Sequence, residues 1–342
     1  MKTKTTVKQA VLFVMLAAAL YACRDSGKPR VSDSSRIEKA TLGESSLNST
    51  SSKERNVDMS QFSKTALNIL YTGNRNSRQT LDIAYPSMGN PPYKTIILFH
   101  GGGWMSGDKQ SETIASIFQA TTQGYAVVSV NYRLSDEVKW PKPLYDAKAA
   151  IRFIRANAGK YHLDTRKLVA WGASAGGHIV EMLAATNNLP AFEDLSMGNR
   201  DASSAVQGVV SWYGIADVSA LGDQGTIPAN KIMGFDVHAN KARTHDASPI
   251  QLVTPRFPPI LLVHGTNDQI VPYQQSVNMQ KRVNEVTGKE TAKLVLYKGA
   301  SHGDGAIKSK SNVAKCLDFV DSILFDGKNP CRNTSYIDVR VR

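Results

Sequence analysis

The sequence predicts an α/β fold: a mostly parallel central sheet with helices on both faces, opened by an antiparallel hairpin. Short apolar runs rich in β-branched residues recur at 95–99, 125–130, 167–171, 206–212, 259–263 and 292–297. Unbroken apolar runs of this kind suit strands covered on both faces. Between several of them the apolar spacing switches to the helical period. Ala147, Ala150, Ile151, Ile154 and Ala158 share one helix face, and 274–286 and 313–324 behave alike. Such alternation implies crossover connections and parallel pairing. The first two strands, 67–72 and 80–85, have no helix between them, which places a hairpin at the sheet edge.

Composition narrows the function class. Of the 342 residues, 42% are apolar and 20% charged, a globular balance that excludes fibrous and wholly disordered chains. Lys and Arg number 41 against 29 Asp and Glu, a formal net charge of +12. The excess is spread thinly, with no basic block and no zinc-knuckle or aromatic-basic signature, so nucleic acid is not an expected partner. It reads as a solvated basic surface, suited to anionic lipid or acidic glycans.

The N-terminus reads as an address. Lys2, Lys4 and Lys8 precede an uncharged apolar stretch at 11–20, the pattern of a secretory signal. The apolar run is shorter than the ~20 residues a membrane-spanning helix needs. It ends Leu20-Tyr21-Ala22-Cys23, which resembles a bacterial lipobox. Leu20 and Ala22 fit that pattern, and Tyr21 is an unusual filler. The expectation is cleavage before Cys23, lipid on that residue, and an extracytoplasmic protein held to a bacterial membrane by the anchor alone. An ordinary cleaved signal with a coincidental Cys is the alternative. Residues 24–63 are Ser-rich without apolar period and read as a flexible tether. The expected organisation is therefore a signal at 1–22, a tether at 23–63 and one folded domain at 64–342. Cys316 and Cys331 remain as an even pair in a compartment where disulfides persist, so a bridge is expected, with two unrelated thiols as the alternative.

The chemistry begins at Gly172-Ala173-Ser174-Ala175-Gly176-Gly177, between a strand and a helical stretch. A G-x-S-x-G turn in that context exposes its serine as a nucleophile. Small neighbours are required because the turn is tight, and the helix N-terminus favours developing negative charge. His100-Gly101-Gly102-Gly103-Trp104 follows another strand. Its glycines uncover backbone N–H groups that can stabilise an oxyanion. No dinucleotide or Walker pattern accompanies them. A serine nucleophile needs a base and an orienting acid. Asp268, in Val263-His264-Gly265-Thr266-Asn267-Asp268, and His302, in Gly299-Ala300-Ser301-His302-Gly303, complete the chain order Ser, Asp, His. Both lie in loops after strands, where parallel sheets place their sites. Other candidates have plainer readings. Asp146 is structural, Asp217 orients a loop, Asp304 is too near His302 in sequence, and His100 and His178 are bonded to loops. No cluster has metal-ligand spacing, so neither metal nor cofactor is expected. Residues 220–246 should form a wall or small lid over the site.

Together these motifs resemble the α/β-hydrolase fold. Within it they are closest to esterase- and lipase-like members with an HGGG loop, including hormone-sensitive-lipase-like and feruloyl- or acetyl-esterase-like proteins. Asn131-Tyr132-Arg133-Leu134, Asp146-Ala147 and Ser248-Pro249 extend the resemblance, which covers about 67–325. It implies Ser174 as nucleophile, His302 as general base and then acid, and Asp268 as its orienting partner. The N–H groups of Gly102, Gly103 and Ala175 would form the oxyanion hole. The implied activity is hydrolysis of a small-molecule or glycan-linked carboxylic ester through an acyl-enzyme. The rivals are an arylformamidase-like amidase or a peptidase on the same triad, and a non-catalytic surface-binding lipoprotein. Where bulky-cap lipases carry a helical N-terminal lid, this chain has the Ser-rich stretch and a hairpin, which argues against a large cap.

Overall fold

The computed structural model describes residues 55–332 and 338–342. Within them the strands are β1 (Thr65–Leu70), β2 (Thr80–Ala84), β3 (Tyr93–Phe99), β4 (Ala126–Val130), β5 (Leu163–Ala173), β6 (Gly208–Trp212), β7 (Ile260–Gly265) and β8 (Ala292–Tyr297). They form one sheet in the order β1-β2-β4-β3-β5-β6-β7-β8. β1 pairs β2, and β2 pairs β4, antiparallel; every later pairing is parallel. The helices are α1 (Lys142–Ala156), α2 (Ala175–Ala185), α3 (Asp223–Met233), α4 (Gln274–Thr287) and α5 (Lys310–Leu324). The fold class read from the sequence is the observed one.

Why the strands are apolar without alternation follows from the two cores. Ile97, Phe99, Val128 and Ala170 belong to one buried cluster, which also holds residues of α1, α2, α3 and α4. Their neighbours Ile96, Leu98, Val127 and Val169 belong to the other, with α5. Successive residues of one strand point to opposite faces, so each strand feeds both cores.

Several elements differ from expectation. α1 stops at Ala156, short of Ala158, and β5 begins at Leu163. A 3-10 segment, Glu112–Gln123, buries Ile114, Ile117 and Phe118 on the α5 side of the sheet. Its many Thr and Gln residues disguise that apolar stripe in the sequence. The lower boundary of the domain needs correction as well. Residues 55–63, expected in the tether, belong to the fold: Val57 bridges to Val341, and Val57, Met59 and Phe62 are buried in the second core. Three well-placed apolar side chains outweigh a polar composition around them. The rest of the expected signal and tether, with Cys23, lies outside the described residues.

The expected Cys316–Cys331 bridge is also corrected, since both cysteines are free. Cys316 points inward from α5 and is fully buried, and burial pushes its thiol up to about 12. Cys331 packs instead against Gly89 and Gly124. An even count says nothing about which way two thiols face.

Phe62 stacks near Phe118, with ring centroids 5.5 Å apart. Phe62→Ala should therefore destabilise the domain by roughly 3 kcal/mol, read as a lower urea midpoint with an unchanged slope. A variant as stable as wild type would remove residues 55–63 from the folding unit.

Candidate active site

The tight turn between β5 and α2 is built by exclusion. A Cβ on Gly172 would stand 2.1 Å from the Gly176 carbonyl oxygen, and one on Gly176 would stand 2.1 Å from that of Phe99. Ser174 at its apex adopts φ +55° and ψ −118°, a strained region for a residue with a side chain, costing about 1–3 kcal/mol. Neighbouring backbone holds it there: its N–H donates to the Trp212 carbonyl at 2.9 Å, and its own carbonyl accepts from His178 N–H at 2.9 Å.

His302, in the loop after β8, places Nε2 2.9 Å from Ser174 Oγ. Its Nδ1 lies 2.6 Å from Asp268 Oδ2. Asp268 is an anion held in place on all sides. Its Oδ1 accepts from the N–H groups of Ile270 at 2.9 Å and Val271 at 2.8 Å. Burial alone would raise its pKa, but hydrogen bonds from His264 and His302 and the Val271 N–H hold it well below the usual carboxylate range. A carboxylate in that position fixes the proton of His302 on Nδ1 and leaves Nε2 free to accept from the serine hydroxyl.

Two supporting residues escaped the sequence reading. His264, at the end of β7, lies with Nε2 2.9 Å from the Val271 carbonyl and 3.2 Å from Asp268 Oδ2. Its Nδ1 is 2.7 Å from Ser276 Oγ. A tautomer protonated on Nε2 satisfies both ends, donating toward the acid and accepting from the serine. Its only signal in sequence is its place four residues before Asp268. Tyr213, just past β6, sets its ring edge-on to His302 at 4.6 Å.

Ser174 and His302 open into a cavity of about 560 Å³, which Gly102, Gly103 and Ala175 also border. The glycine loop is folded tightly: Met105 and Ser106 N–H groups both donate to the Gly102 carbonyl, at 3.0 and 3.1 Å. Gly102 has φ +115°, and a Cβ there would meet the Ser106 oxygen at 2.2 Å, so any side chain would disrupt the loop itself. Leu221, Gly225, Ile227 and Pro228 form one wall, so the 220–246 stretch contributes as expected, through α3. Trp104, Ile215, Ile270 and Val271 continue that largely apolar lining.

The remaining sequence candidates stand outside the chemistry. Asp146 is fully buried and chelates the Arg133 guanidinium. Asp217 accepts from Ser219 N–H at 2.9 Å and caps a turn. Asp304 accepts from the backbone of Ser301 and Ala306. His100 Nδ1 lies 2.7 Å from the Gly101 carbonyl, and His178 Nε2 lies 2.7 Å from that of Ala247. Burial lowers both imidazoles to about 4, so both are neutral structural groups.

An aligned Ser–His–Asp chain at the carboxyl ends of a mostly parallel sheet defines a protein of the α/β-hydrolase fold. Within that class the chain belongs to the BD-FAE family, whose model matches residues 81–283. A TAP-like protein model matches 238–336. Esterase LipC of Mycobacterium tuberculosis is 31% identical over 67% of this chain and 58% of its own length. A probable carboxylic ester hydrolase of the same organism, LipM, is 30% identical over 55% of this chain and 44% of its own. The chain thus spans about half the length of these curated relatives. Among solved structures, a truncated carbohydrate esterase from gut microbiota superposes with a TM-score of 0.72 at 29% identity, covering 77% of this chain and 97% of that one. A bifunctional GH43-CE protein of Bacteroides eggerthii gives 0.69 at 28% identity, covering 76% and 35%.

The geometry places the Ser174 hydroxyl against a base, whatever the substrate. A fluorophosphonate probe should label it in the wild type and leave Ser174→Ala unlabelled. His264→Ala, which lets Asp268 shift, should slow labelling about 10²-fold. Labelling at the wild-type rate would reduce His264 to a packing residue.

Proposed function

We propose that the protein is a serine hydrolase that cleaves carboxylic esters through an acyl-enzyme. The observation that carries this is the hydrogen-bonded chain Ser174–His302–Asp268 opening onto a cavity bordered by Gly102, Gly103 and Ala175. Ser174 Oγ attacks the ester carbonyl as its proton passes to His302 Nε2. The carbonyl oxygen, now an anion, is stabilised by the backbone N–H groups of the glycine loop and of Ala175 at the start of α2. Collapse breaks the bond to the alcohol, which leaves with the proton from His302. Water then attacks the acyl-enzyme with His302 again as base, returning Ser174 and releasing the acid. Asp268 stays ionised throughout and stabilises the imidazolium.

The ester reading is supported over an amidase or peptidase by the esterase relatives. One structural neighbour, titled a carbohydrate esterase from gut microbiota, supports a small or glycan-linked ester as substrate. A panel of acetyl, butyryl, feruloyl, long-chain and formanilide substrates separates these readings. Ser174→Ala and His302→Ala should each lower kcat by about 10⁴–10⁶, with the double variant scarcely worse, because the two act as a unit. Ester turnover near the wild-type rate in Ser174→Ala would refute the assignment.

The same proposal includes an extracytoplasmic, lipid-anchored placement, supported by the basic and apolar run that ends at Cys23. Mass spectrometry of the mature N-terminus should find a lipid-modified Cys23, and Cys23→Ser should release the protein from membranes. An unmodified mature chain would overturn it.

A further inference from the structure

Next to His302 the chain turns through Gly303, which has φ +69° and no side chain to fill the space beside it. Two polar groups converge on that space. From the point where a Cβ would stand, Tyr213 Oη is 3.8 Å away and Lys308 Nζ 3.9 Å. Tyr213 is buried, yet its hydroxyl hydrogen-bonds to no protein group among the described residues. Lys308 is the one lysine or arginine among the described residues bordering the active-site cavity. No carboxylate pairs with its ammonium, whereas Lys310, two residues on, is paired with Asp338 at 2.8 Å. The nearest acid, Asp304, feels the Lys308 charge, but its oxygens accept from backbone N–H groups at 2.8 Å (Ala306) and 3.3 Å (Ser301). The Lys308 backbone is anchored, its N–H donating to the Asp304 carbonyl and its neighbour Ile307 fully buried. Two donors without a protein partner among the described residues, one cationic, therefore face the cavity beside the histidine that protonates the leaving group.

We propose that Lys308 and Tyr213 form an anion subsite for the alcohol part of the substrate, accepting a carboxylate carried by the leaving alcohol. The proposal rests on the ester-hydrolase reading and narrows it to esters of acidic alcohols, such as hydroxy acids or O-acylated uronic acid sugars. The alcohol side is assigned by adjacency: both donors converge on Gly303, the neighbour of His302, whose Nε2 delivers the proton to the alcohol. A charge-assisted bond in a half-enclosed cleft is about twice as strong as a neutral one. The net charge of +12 over the chain adds long-range attraction for an anionic substrate.

The test compares three acyl esters on the purified protein. 3-Acetoxybenzoate carries the carboxylate on the leaving group, its methyl ester removes the charge (turnover being read as acetate released), and 4-nitrophenyl hemisuccinate moves the carboxylate to the acyl side. Relative to their hydroxide-catalysed rates, kcat/KM should favour 3-acetoxybenzoate over its methyl ester by roughly tenfold, and added salt should shrink the preference. Lys308→Met should abolish it while leaving the methyl ester within twofold of wild type, and Lys308→Arg should restore most of it. Tyr213→Phe should lower the charged substrate more than the neutral one. Turnover of neutral esters with no preference in the wild type, an equal loss on both in Lys308→Met, or a preference for the hemisuccinate instead would overturn the subsite alone. No turnover of any ester would overturn the hydrolase reading and the subsite with it.

Discussion

The site depends on one steric constraint, the contact between the end of β3 and the turn that follows β5. These strands are paired in register, with Phe99 opposite Gly172. The register brings the glycine loop after β3 and the nucleophile turn after β5 to the same edge of the sheet. Gly176 then lies so close to the Phe99 and His100 carbonyls that no side chain fits between them. That approach places Ser174 and the Gly102–Gly103 backbone on one cavity. The next strands repeat the arrangement: the end of β6 supplies the carbonyl that holds Ser174 N–H, the loop after β7 supplies Asp268, and the loop after β8 supplies His302. Five adjacent parallel strands, β3 and β5 to β8, thus deliver their chemistry to one end of the sheet because their carboxyl ends all lie there.

Loops so placed need fixing, and buried polar contacts fix them. Asp146 on α1 holds Arg133 through the guanidinium and through the backbone N–H at 2.9 Å. Next to Arg133, Tyr132 stacks on His100 and donates its hydroxyl to the His100 carbonyl at 2.8 Å. A chain of contacts therefore runs from a helix core to the first residue of the glycine loop. His178 does similar work one helical turn past Ser174, tying α2 to the Ala247 carbonyl between the rings of Trp104 and Trp140. Groups like these stabilise little on balance but are costly to leave unpaired, which is why they define a single loop geometry. The carboxyl of Glu181, also on α2, is buried and paired through one oxygen only. Burial pushes it up to about 8, so it is protonated at neutral pH, and its Oε1 accepts from Ser211 Oγ at 2.6 Å.

What could be read in the sequence was what local sterics dictate. Gly172, Ser174 and Gly176 are legible because only small residues fit that turn, and Gly101 to Gly103 because few backbones need three glycines in a row. Asp268 and His302 were legible through chain order, given a serine that needs them. His264 and Tyr213 were not, since each meets a partner that only the sheet brings near. Val57 and Phe62 were hidden for a different reason: a Ser-rich composition averages away two or three side chains that a core can use. The even cysteine count misled because pairing depends on direction, and Cys316 and Cys331 face different surroundings.

The apolar wall carries the last consequence. α3 is inserted between β6 and β7 and brings Pro228 against the glycine loop, where a Cβ on Gly103 would stand 3.0 Å from the Pro228 Cβ. The loop and the wall are therefore in close contact. Ile227, the residue before it, is 70% exposed while lining the cavity, so an apolar substrate that covers it removes its side chain from water. That burial presses on the same helix that abuts the glycine loop. The apolar wall and the glycine loop thus meet at one proline, Pro228, on the border of the same cavity.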